Sequence, residues 1–220
     1  MKKGIIFDLD GVIVDTAKYH YLAWKKLANQ LGFEFSQEQN ELFKGVSRKR
    51  CLDILLEMGN LSATQEQKDV WMIEKNNDYQ AYIKKMDDSE ILPDVPKILT
   101  LLKENAIPIA LGSASKNALP ILEKVGLAHF FDEIVDGNSV TKAKPDPEVF
   151  LMAAKKMNLS PSNCIVFEDA VAGIEAANSA NMISIGIGDK EVLSQATFIF
   201  KDFTEITTDF MKKLIQIEKK

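Results

Sequence analysis

The stretch IIFDLDGVIVDT, Ile5 to Thr16, sets Asp8 and Asp10 two residues apart where an apolar run ends. Successive side chains of a β-strand point to opposite faces, so this spacing predicts that the two carboxylates share a face, with Cα atoms about 6.5 Å apart. Acids so placed can address one ion or one phosphate. The short apolar run Gly4 to Phe7 suits a strand buried in a parallel sheet, and Gly11 permits a sharp exit from it. The acids are then expected at the carboxyl end of a strand, where open α/β sheets bind their ligands.

Other candidates share that expected position. Ser113 follows IPIALG, Lys144 lies within KAKPDPEVF, and Glu168 and Asp169 follow CIVF. Taken singly, each has a plain reading as a solvated turn, a helix cap, an exposed lysine or a charge at a helix start. Taken together, they compose a phosphoryl-transfer site. Magnesium seeks oxygen ligands at about 2.0 to 2.1 Å and keeps waters and a phosphate oxygen beside a few carboxylates. Asp8 and Asp169 can supply these carboxylates. A carboxylate can also attack phosphorus and form an aspartyl phosphate, provided that the charge of the phosphate is neutralised first. Mg²⁺ and Lys144 would neutralise it. Ser113 and the amides of SASKN can cradle phosphate oxygens. Pro120 disfavours a regular helix around Lys116, so a loop is expected there and a helix from about Ala118. Neither a Walker loop nor a GxGxxG pattern is present.

These residues need elements to hold them. From Asp15 to about Lys85 the pattern is helical: Leu22, Ala23, Leu27 and Leu31 recur before Gly32, and SATQ, Ser62 to Gln65, reads as a capping box opening a long polar helix. From EILPDV onward strands and helices alternate. IPIALGS, EIVDG, NCIVFED, MISIGIG and ATFIF are strand-like, while ILEKVGL and EVFLMAAKKM are helix-like. The expected architecture is α/β: a parallel-sheet core formed by residues 1–14 and 91–220, interrupted by a small all-helical insertion over 15–90. The tail KKLIQIEKK is expected to be a surface helix ending in charge.

Composition limits the partners. Against 27 basic residues stand 32 acidic ones, and the formal charge of -5 offers no broad positive surface for nucleic acid. No apolar stretch approaches the roughly 20 residues of a membrane helix, and the N-terminus enters a strand without a signal peptide's apolar core. A cytoplasmic, monomeric protein without a membrane partner is expected. Cys51 and Cys164 lie far apart with no C-x-x-C spacing and read as ordinary thiols.

The set DLDGVIVDT, GSAS, KPDPEVF and FEDAVAGIEAA resembles the haloacid dehalogenase-like phosphotransferases, in the right order over essentially the whole chain. DTAKYHYLAWKKLA and KGVSR, with SASKN, are similar to the sugar phosphomutases of that family. The resemblance implies a Rossmann-like core, a helical cap inserted after the first strand and one Mg²⁺. It also implies a sugar phosphate as substrate: β-glucose 1-phosphate and glucose 6-phosphate would interconvert through an aspartyl phosphate and a bisphosphate.

By the same resemblance Asp8 is the nucleophile. Asp10 is the general acid and base, with its backbone carbonyl on the metal. Asp169 ligates the metal and Glu168 supports it, so Asp8, Asp10, Glu168 and Asp169 form the metal set. Ser113 and Lys144 hold the transferring phosphate, while Arg48, Ser115, Lys116 and Asn117 grip the other. Gly45 and Val46 contact the sugar. His20, Trp24 and Lys75 are further cap contributors, although His20 and Trp24 read equally well as packing residues. Cys51 stands where a small hydroxyl residue is expected. To donate a proton, Asp10 must be held protonated above the ordinary carboxyl value of about 3.9, by desolvation or by a bond to its neutral form. A sugar-phosphate phosphatase of the same family remains open, as does a receiver-type phosphate acceptor. The receiver, however, carries its aspartate in mid-chain and has no cap.

Overall fold

The run Gly4–Phe7 forms strand β1, buried along its whole length in the computed structural model, which describes residues 3–216. Beside it lie β2 (Ile109–Gly112), β3 (Glu133–Val135), β4 (Cys164–Glu168), β5 (Ile183–Ile187) and β6 (Phe198–Phe200). The sheet order is β3-β2-β1-β4-β5-β6, and every pairing is parallel. Helices cover both faces, which is why β1 and the Cys164–Phe167 part of β4 read as unbroken apolar runs rather than alternating ones. The chain winds outward from β1 on one side and then returns to β4 on the other. A crevice therefore opens at the carboxyl ends beside β1.

Between β1 and residue 91 the described chain forms only helices: α1 (Ala17–Gln30), α2 (Gln37–Asn40), α3 (Arg48–Met58), α4 (Gln65–Ile83) and short 3-10 turns. Beyond residue 91, α5 (Val95–Glu104), α6 (Ala118–Lys124), α7 (Glu148–Lys156), α8 (Val171–Ser179) and α9 (Thr208–Leu214) accompany the strands. Residues 217–220, the charged end of the expected tail helix, lie outside the described residues.

Alternation along the strands builds two core layers. Ile5 and Phe7 face one side with Leu111, Phe167 and Ile185, while Ile6 faces the other with Val166 and Phe150. The inserted helices have a separate core of Trp24, Leu27, Phe35, Phe43, Leu52 and Leu55. Ala23, Tyr79, Ile83 and Met86 instead join the sheet's own cluster and so bind the insertion to the core.

Three local expectations are corrected. Strand β1 ends at Phe7. Asp8 continues the ladder by donating its N–H to the Phe167 carbonyl at 2.9 Å, but the chain then turns, with the Ile13 N–H on the Leu9 carbonyl at 2.9 Å and Gly11 at φ 78°. Asp8 and Asp10 therefore do not share one strand face. The capping box of α4 is formed by Thr64 and Gln67, two residues later than expected. Thr64 has the extended backbone that a cap requires and accepts from the Gln67 N–H, while its own N–H donates to the Gln67 side chain. Leu22 points outward, and α1 buries Ala23, Trp24, Leu27 and Ala28. At 3.6 residues per turn Leu22 and Leu27 are about 140° apart, so one apolar face cannot hold both.

Candidate active site

Sheet register brings the acids together. Phe7 pairs with Leu111 on one side and Phe167 on the other, so Asp8 stands level with Gly112 and Glu168 at three adjacent carboxyl ends. Ser113, buried, comes one residue further on. Lys144 enters from the loop between β3 and α7, and its ammonium donates to Asp8 Oδ1 at 2.6 Å and to Glu168 Oε2 at 2.8 Å. The Phe150 ring lies 4.7 Å from that nitrogen. The sequence's plain reading of an exposed lysine before proline is thus overturned, because two buried carboxylates compensate the charge.

Asp169 completes the cluster. Ligand oxygens of Asp8, Glu168 and Asp169 lie within 4.8 Å of one another. A Cβ on Gly11 would overlap the Asp169 carboxylate, so this close approach requires glycine. Burial, against the pull of Lys144 and with the help of the Glu168 and Asp10 charges, raises the Asp8 carboxyl to about 7. Burial and the Glu168 and Asp8 charges raise Asp169 well above the ordinary value. Lys144, held by two acids against its own burial, keeps its proton more firmly than usual. Two buried acids and a partly buried third, with one ammonium on the first two, offer an all-oxygen donor set that fits a hard divalent cation such as Mg²⁺.

The Asp10 side chain points into a different group. Thr16, the residue just before α1, donates its hydroxyl to Asp10 Oδ1. His20 Nε2 lies 3.8 Å from the same oxygen. Burial works to raise the Asp10 carboxyl, but the nearby His20, the Thr16 hydroxyl and the Lys75 charge together hold it below its ordinary value. The expectation of a protonated Asp10 is not met in this arrangement: the Thr16 hydroxyl bonds the charged form and the nearby His20 and Lys75 charges favour it. Lys75 Nζ is 3.1 Å from His20 Nδ1 and 4.7 Å from the rings of both Trp24 and Tyr79. Burial and the Arg48 charge lower the Lys75 ammonium to about 7, while burial and the Lys75 charge lower His20. Trp24 is fully buried in the insertion's core, so it floors the Lys75 position rather than lining open space.

The remaining predicted residues form a rim. Ser115 accepts the Asn117 N–H at 3.2 Å, and its own N–H donates to Ser113 Oγ at 3.1 Å, which folds SASKN into the expected loop. Lys116 is exposed. Arg48, at the start of α3, is partly buried, and its charge acts on both His20 and Lys75. Gly45 at φ 69° lets the loop ahead of α3 approach Ala170, where an added Cβ would stand 2.8 Å from the alanine's. Val46 is partly buried against the insertion's core. Cys51 donates its thiol weakly to the Val46 and Phe43 carbonyls at 3.6 and 3.8 Å, and burial pushes that thiol up to about 12. The cysteine thus braces the loop that bears Gly45 and Val46.

Several participants were not singled out from the sequence. Thr16 was one, although it closes the DGVIVDT motif. Lys44 places its ammonium 4.0 Å from Asp169 Oδ2. Asn117 donates to Asn76 and accepts from Gln80, both at 3.2 Å, joining α4 to the SASKN loop. Helical spacing does relate Asn76 to Gln80, one turn apart on α4. Nothing local points to their partner.

Comparison with known proteins agrees with this geometry. The profile of the haloacid dehalogenase-like hydrolases matches residues 2–181. The β-phosphoglucomutase of Bacillus subtilis is 40% identical over 211 residues, covering 95% of this chain and 93% of that protein. The crystal structure of the Clostridium difficile β-phosphoglucomutase is 44% identical, superimposes with a TM-score of 0.93 and covers 98% of each chain. A fructose-1-phosphate phosphatase of Escherichia coli is 30% identical over 84% of this chain and 95% of its own.

Proposed function

The chain belongs to the haloacid dehalogenase-like hydrolase family, and from that membership we propose that it is a β-phosphoglucomutase, interconverting β-D-glucose 1-phosphate and D-glucose 6-phosphate. The observation that carries the proposal is its near full-length likeness to two β-phosphoglucomutases at 40% and 44% identity. We read residues 15–90 as the cap over a core of 1–14 and 91–220. The enzyme is read as a cytoplasmic monomer, with a small sugar phosphate as its partner. Among the described residues, no helix is long and apolar enough to cross a membrane.

In the proposed cycle Asp8 attacks the phosphorus of a glucose bisphosphate, forming an aspartyl phosphate as the bond to the sugar oxygen breaks. Asp10 gives that oxygen its proton. When a hydroxyl of glucose monophosphate attacks the aspartyl phosphate, Asp10 takes the hydroxyl's proton, and the Asp8 carboxylate is released. The anionic state favoured by Thr16 and His20 suits this second step. Lys144 stands against Asp8 and offsets the repulsion between carboxylate and phosphate. Ser113 and the SASKN amides receive the transferring phosphate. Arg48, with Ser115, Lys116 and Asn117, grips the phosphate at the other end of the sugar, and an arginine fork suits that task.

Asp8, Asp169 and the Asp10 carbonyl would hold Mg²⁺, with Glu168 in support. When bound, the ion polarises the phosphate and neutralises its charge.

The test is turnover of β-glucose 1-phosphate with Mg²⁺ and a catalytic amount of the bisphosphate, with inorganic phosphate followed in parallel. Glucose 6-phosphate forming much faster than phosphate is the expected result. Phosphate release matching or exceeding isomerisation would make the chain a sugar-phosphate phosphatase.

A further inference from the structure

Lys144 lies in an irregular loop, yet its ammonium meets two carboxylates at 2.6 and 2.8 Å. A long, flexible side chain reaches such a place reproducibly only if its backbone is held. Glu148 supplies a hold. Its carboxylate accepts the Lys142 N–H at 2.6 Å, the Thr141 N–H at 2.9 Å and the Thr141 hydroxyl at 3.1 Å. The backbone bonds keep this carboxyl below its ordinary value, hence ionised. Glu148 is also the first residue of α7, the helix whose first turn carries Phe150, against which the Lys144 ammonium rests. Between the two tied ends, the Asp146 N–H donates to the Ala143 carbonyl and the Glu148 N–H to Asp146 Oδ1, each at 3.0 Å.

We infer that Glu148 is a positioning residue for Lys144: its carboxylate closes the 141–148 loop onto α7 and so sets where the ammonium stands between Asp8 and Glu168. Glu148 makes no hydrogen bond to the acids themselves; it acts through the backbone. The inference rests on the reading of Lys144 as the cation that offsets charge at Asp8. Because a misplacement of about 1 Å at a reacting centre can cost on the order of a hundredfold in rate, loosening the loop should be visible in the chemical step.

The experiment uses the magnesium-loaded full chain and acetyl phosphate as donor, following phosphoryl transfer to Asp8 by intact mass. It also follows the NMR resonance of the Lys144 ammonium, assigned with Lys144→Met. In Glu148→Ala we expect transfer to slow by about tenfold or more, with the donor concentration for half-maximal rate within about twofold, and the ammonium resonance to shift or broaden. Glu148→Gln, which keeps the shape and one acceptor oxygen, should fall in between; it carries the same two readouts should Glu148→Ala not fold. A slowed transfer with an unmoved resonance, a moved resonance with an unchanged rate, or no change in either would overturn the inference. Acetyl phosphate carries no sugar, so failure of the wild type to isomerise glucose phosphates would count against the mutase reading and leave this result standing.

Discussion

Asp8 and Asp10 are two residues apart, yet they meet opposite environments. Asp8 shares a cluster with two further acids and is raised to about 7, whereas Asp10 accepts from Thr16, faces His20, and is held low. Asp10→Asn removes the exchangeable proton but keeps the shape and the backbone carbonyl. We expect kcat to fall by about a hundred to ten thousand fold with Mg²⁺ binding retained. Titrating activity with Mg²⁺ checks this, and recovery at saturating metal would show a metal ligand instead of a proton carrier. The raised acids have a stability consequence. Between about pH 4 and pH 7 the folded chain binds more protons at Asp8 and Asp169 than the unfolded chain does, so without a cation stability falls as pH rises through that window. His20, held below its ordinary value, opposes this as one group against two. Thermal melts in chelator should therefore drop across the window, and Mg²⁺ should restore them near neutrality. A melt that ignored both pH and Mg²⁺ would remove the cation from this cluster.

At the scale of elements, the capping of α4 separates two readings of one stretch. SATQ and TQEQ overlap, and composition alone favours neither. Only the backbone at Thr64 selects the second, because a capping side chain must reach the N–H three residues on. Thr64→Ala should cost about 1 kcal/mol in the melt with kcat unchanged, while Ser62→Ala should cost nothing measurable. A larger loss at Ser62 would return the cap to the expected place. The same limit explains the misread α1 face: four apolar residues fitted a helix, but which of them turn inward depended on where Phe35, Phe43 and Leu52 lie.

Across the whole molecule, the insertion carries charge to a site whose proposed nucleophile, Asp8, stands at the carboxyl end of β1. Arg48 from the insertion and the SASKN loop from the core would hold one end of a bisphosphate while Asp8 works on the other. Arg48→Ala should therefore depress isomerisation far more than transfer from acetyl phosphate, which has no second phosphate. Removing one partner of a buried charged pair typically costs about 2 to 5 kcal/mol. Measuring both rates on the same variant checks this. Equal losses would mean that Arg48 only maintains the insertion.

Six strands, their parallel pairing and the acids at their carboxyl ends could be read from the chain alone. Apolar runs, turn residues and motif spacing act over a few neighbours, and IIFDLDG or CIVFED carries that information wherever it is placed. Chemical type could be read in the same way, since aspartate, lysine and serine bring their chemistry with them. What the acids become depended on the tertiary structure. Lys144 reaches Asp8 across 136 positions of sequence, and Gln80 reaches Asn117 across 37. The charge state of a buried carboxyl depends on its desolvation and on partners that distant segments supply, so the lowered carboxyl at Asp10 and the cluster around Asp8 existed only once the chain had folded.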